Sequence, residues 1–133
     1  SWLPELRTLD LGGNNIVMTV YAAMQSVVGL PSLQVLDLSS NALTGNLEGS
    51  FDLHYCDFDE GGSLSGGGGG GTCNTAVTKT RSSSLVIVLL ASNLIGGGLE
   101  ADSLPRSLSV LTLSDNLLHG PVPEDYSQLS VFF

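Results

Sequence analysis

Cys56 and Cys73 are the only cysteines in this 133-residue chain, and His54 and His119 the only histidines. His54 lies two residues from Cys56, yet a structural zinc needs four such ligands and the remainder are missing. Cys56 and Cys73 flank a run of six glycines, Gly66–Gly71. In an oxidising compartment they would close a disulfide around it, stabilising the fold by about 3 kcal/mol in a chain-entropy account. In a reducing compartment they would be a buried thiol and a loop thiol. The glycine run is followed by Thr72-Cys73 where a phosphate-cradling loop requires Lys-Ser/Thr, so nucleotide binding is not indicated. Asp52, Asp57, Asp59 and Glu60 supply hard oxygens, but Asp57-Phe58-Asp59-Glu60-Gly61-Gly62 does not follow the calcium-loop spacing. A solvated acidic edge is the expectation there. Serines are plentiful, but no G-x-S-x-G elbow occurs. A non-catalytic chain with no metal and no cofactor is expected.

Composition narrows the partners. Thirteen acids against four bases give a net charge of −9. Nucleic acid and anionic membranes are excluded as partners, because phosphate binding needs clustered Lys and Arg. The longest apolar stretch, Leu85–Ala91, is far too short to span a bilayer. Only 13% of the residues are charged and 42% are hydrophobic, which argues against wholesale disorder. Leu alone accounts for 24 residues, an excess that needs a structural reason.

That reason is a repeat. The spacing L-x-x-L-x-L-x-x-N-x-L, with Ile or Val allowed at the L positions, occurs four times. It runs Leu6, Leu9, Leu11, Asn14, Ile16; then Leu33, Leu36, Leu38, Asn41, Leu43. It returns as Leu85, Val88, Leu90, Asn93, Ile95 and as Leu108, Leu111, Leu113, Asn116, Leu118. Random placement of these residue types predicts about 0.04 matches. Within each unit L-x-L alternates, sending Leu9 and Leu11 inward and Thr8, Asp10 and Gly12 outward. One unit cannot bury its own leucines, so units must stack. A buried Asn amide left unpaired costs about 1–3 kcal/mol. Asn14, Asn41, Asn93 and Asn116 are therefore expected to form a ladder bonded to neighbouring turns.

The pattern resembles the leucine-rich repeat family. Leu3, Leu6, Leu9 and Leu11 extend it to L-x-x-L-x-x-L-x-L, as do Leu30, Leu33, Leu36 and Leu38. The tails Leu43-Thr44-Gly45-Asn46-Leu47 and Leu118-His119-Gly120-Pro121-Val122-Pro123 are similar to the plant-type subfamily. Glu48 stands where Pro is usual, and Ile95-Gly96-Gly97-Gly98 has no Pro. The resemblance implies an α/β fold: a right-handed horseshoe solenoid with a short parallel sheet on the concave face and mostly irregular convex segments.

Repeat starts fall near residues 6, 33, 85, 108 and 129, where Leu129-Ser130-Val131-Phe132 opens another strand. The interval between 33 and 85 equals about two repeats, so a degraded repeat is expected at Leu53, Cys56 and Phe58. Residues 60–84 are expected to be a flexible glycine-rich insertion. Val20, Ala23, Met24 and Val27 recur at helical spacing, which predicts a short helix within Thr19–Val28, ended by Gly29 and Pro31. The chain opens and closes in mid-pattern, so a piece of a longer repeat protein is expected.

Outward strand residues align in columns: Thr8, Val35, Ile87, Val110; Asp10, Asp37, Leu89, Thr112; and Gly12, Ser39, Ala91, Ser114. The first column is apolar in three of its four places, which strand propensity alone would favour. Leu89 has no such excuse. By resemblance, the concave columns bind a protein or peptide, and the acidic balance favours a basic partner. The family also implies a receptor-like or secreted protein at the cell surface. The alternatives are spacer repeats of a longer solenoid, or the repeat region of a receptor-type kinase.

Overall fold

The computed structural model describes residues 3–27, 30–51, 54–56, 78–80, 84–99 and 104–132. The elements are β1 Thr8–Asp10, α1 Val20–Ser26, β2 Val35–Asp37, β3 His54–Cys56, β4 Thr78–Thr80, β5 Ile87–Leu89, β6 Gly96–Gly97, β7 Val110–Thr112, β8 Leu117–Leu118, a 3₁₀ turn at Glu124–Gln128, and β9 Ser130–Phe132. Five of the strands form one parallel sheet in the order β1-β2-β5-β7-β9. Every strand of that sheet begins two residues, or one for β9, after a repeat-starting Leu or its successor, so the sheet is the repeat made visible.

Alternation sorts the strand residues as the pattern requires. Leu36, Val88 and Leu111 are fully buried at the strand centres, with Leu33, Leu38, Leu43, Leu85, Leu90, Ile95, Leu108 and Leu113 around them. Their flanking neighbours in β2, β5 and β7 are half-buried. The first coil is less covered: Leu9 is half-buried and Leu11 is 36% exposed. Both point inward as expected, but they line an open apolar depression of about 160 Å³ with Ile16, Met18, Val27 and Leu30.

The asparagines tie the coils together. Asn93 Nδ2 donates to Leu38 O of the preceding coil at 2.9 Å and to Leu90 O of its own at 3.1 Å, while its Oδ1 accepts Leu43 N–H at 3.0 Å. Asn41 repeats this with Leu11 O and Ile16 N–H, and Asn116 with Leu90 O and Ile95 N–H. Asn14 departs from the expected ladder. It donates only within its own turn, to Leu11 O and Gly12 O. The residue before each Asn is left-handed: Gly13 at φ 70°, Ser40 at 53°, Ser92 at 57° and Asp115 at 53°. That twist turns the amide back under the sheet, and non-glycine residues accept a strained backbone to achieve it.

A second ladder lies on the other flank. Ser32 Oγ donates to Pro4 O at 2.6 Å, Ser84 Oγ to Leu33 O at 2.6 Å, and Ser107 Oγ to Leu85 O at 2.7 Å. Each serine immediately precedes a repeat-starting leucine and bonds the coil before its own.

The convex segments follow local sequence. Gly45, Gly97 and Gly120 of the L-x-G tails all have φ between 80° and 90°, which only Gly adopts freely. Met18 holds that place in the first coil, has no positive φ, and the chain instead enters α1. Thr19 caps the helix, its Oγ1 accepting Ala22 N–H at 3.1 Å, and Val20, Ala23 and Met24 are buried. This matches the spacing-based expectation, although Gly29 lies outside the described residues.

The expected repeat at residue 53 is not part of the solenoid sheet. Residues 54–56 pair antiparallel with 78–80 in a separate two-stranded sheet, and β2 bonds directly to β5. Val88 and Leu90 of the next matched repeat fill the inward positions beside β2 instead, both fully buried. Leu53, Phe58, Cys73, the acidic cluster and most of the expected flexible insertion lie outside the described residues. Within that insertion, Thr78–Thr80 is strand.

The ladder predicts an asymmetry. Asn93→Ala removes bonds to two coils and orphans buried groups, and should cost about 3 kcal/mol or more in urea unfolding. Asn14→Ala should cost less than about 1 kcal/mol. Equal losses at the two sites would contradict the ladder.

Candidate functional site

Strand register determines which outward side chains meet. Thr8 pairs with Val35, Val35 with Ile87, Ile87 with Val110, and Val110 with Ser130. Asp10 pairs with Asp37, Asp37 with Leu89, and Leu89 with Thr112. The two columns predicted from the sequence are thus adjacent on one sheet face, about 4.8 Å apart from coil to coil. The third column continues beside them: Gly13 N–H donates to Ser39 O, Ser40 N–H to Ala91 O and Ser92 N–H to Ser114 O, at 2.8–2.9 Å. The two sequence-based columns missed their fifth members, Ser130 and Phe132, although the Leu129 repeat start marks both.

The face is not uniformly exposed. Thr8 and Asp10 are exposed, while Val35, Asp37, Ile87, Leu89, Val110 and Thr112 are half-buried. Adjacent branched side chains shade each other along a column, which explains the partial burial.

The carboxylates are held by local bonds. Asp10 Oδ1 accepts Gly12 N–H at 3.0 Å. Asp37 Oδ1 accepts Ser39 N–H at 2.9 Å and its hydroxyl at 2.6 Å. Both groups are fixed at the base of the face by bonds that occupy one oxygen. Gly12 sits between them: a Cβ there would lie 3.2 Å from Asp37 Oδ1 and 3.3 Å from Asp10 Oδ1. The absence of a side chain lets the two carboxylates share one corner. Like charges in register on adjacent strands are unfavourable, and packing the solenoid does not require them.

Among the described residues no group of three or more His, Cys, Asp and Glu could hold a metal ion. His119 is exposed on the convex side and remote from the columns in register. Among the described residues no helix is long and apolar enough to cross a membrane. The face sets the apolar side chains of Val35, Ile87, Leu89 and Val110 beside the carboxylates of Asp10 and Asp37.

Comparison with known proteins agrees with this geometry. The model of the Leucine Rich Repeat family matches residues 32–53. The solved ectodomain of the Arabidopsis receptor kinase HAESA, in complex with an N-terminally extended IDA peptide hormone ligand, superposes with a TM-score of 0.61 at 20% identity, over 98% of this chain and 18% of that one. The leucine-rich repeat ectodomain of the receptor kinase SOBIR1 from Arabidopsis thaliana gives a TM-score of 0.57 at 26% identity, over 98% of this chain and 56% of that one. The chain therefore spans about a fifth and about half of the lengths of these two structures. No curated protein sequence matches it significantly.

The face and the core should separate in stability measurements. Leu90→Ala, in the core, should cost about 2–5 kcal/mol. Leu89→Ala, on the face, should cost less than about 1.5 kcal/mol. Similar losses in chemical denaturation would place Leu89 in the packing rather than on a binding surface.

Proposed function

Because the repeats of this chain are leucine-rich repeats of the plant type, we propose that it is a protein-interaction module whose concave sheet face binds a protein or peptide without chemistry. The observation that carries this reading is Leu89. It follows Asp10 and Asp37 in its column and precedes Thr112 and Phe132, at a place where stacking needs no apolar residue. Together with Val35, Ile87 and Val110 it makes a continuous apolar strip on a rigid sheet. Rigidity matters because a preformed surface loses little entropy on binding.

The partner is basic. The chain carries −9 overall, and two of its acids lie on the face itself. Such charge speeds association with a cationic ligand and makes the rate fall with salt. The likeness to receptor-kinase ectodomains supports a place at the cell surface, in a receptor-like or secreted protein.

The test compares faces. Leu89→Asp should abolish capture of a binding partner selected from a displayed peptide library. Val17→Asp, on an exposed convex residue, should leave capture intact. Circular dichroism of both variants should match the parent. Retained capture by folded Leu89→Asp would remove the concave face from the function and favour repeats that serve as a spacer.

A further inference from the structure

We draw no further inference here: the strongest candidate, the open apolar depression at the β1 end of the solenoid lined by Leu11, Met18, Val27 and Leu30, carries none because nothing in the structure shows what covers it.

Discussion

The asparagine amide bridging two coils is the interaction on which the rest of the structure depends. Leucine burial draws coils together but is non-directional and does not set a register. The carboxamide does, because it offers two donors and an acceptor in one plane and each needs a specific backbone partner. Asn41, Asn93 and Asn116 each reach the preceding coil through both ends of the amide. The strands are then held in register, and the outward side chains fall into columns as a by-product. Left-handed residues before the amide show that the backbone accepts local strain to keep this bond. The serine hydroxyls do similar work on the other flank with one donor each.

Much of this was legible before the structure. The inward leucines, the ladder positions, the helix at Val20–Ser26 and the face columns all follow from spacing, because a period repeated four times determines both direction and neighbour. Three things were not legible. Asn14 has the ladder residue type, but its bonding depends on a neighbour that spacing does not show. The segment at Leu53 mimics half of the repeat, and pattern alone does not distinguish a degraded coil from a hairpin. The serine ladder went unread although Ser32, Ser84 and Ser107 each precede a leucine at a repeat start. Serine is too common at surfaces for three occurrences to stand out.

The candidate site divides along the same line. Which residues share the face was fixed by register. Their half-buried state was not, because it depends on how adjacent branched side chains shade one another. The fixing of Asp10 and Asp37 by Gly12 and Ser39 backbone N–H groups was also invisible, since it arises in the turn after the strand. Those bonds make the corner rigid.

The direct pairing of β2 with β5 bears on how the chain assembles. Val35 and Ile87 are 52 positions apart in sequence, whereas Ile87 and Val110 are 23 apart, yet both pairs sit in the same register. Each doubling of a flexible loop adds only about 0.6 kcal/mol to the closure entropy. Sequence separation of this size therefore adds little to the equilibrium cost of pairing β2 with β5. Its effect falls on rate, since contacts distant in sequence form more slowly than local ones. By that measure the β2–β5 pairing forms more slowly than β5–β7, although both end in the same register.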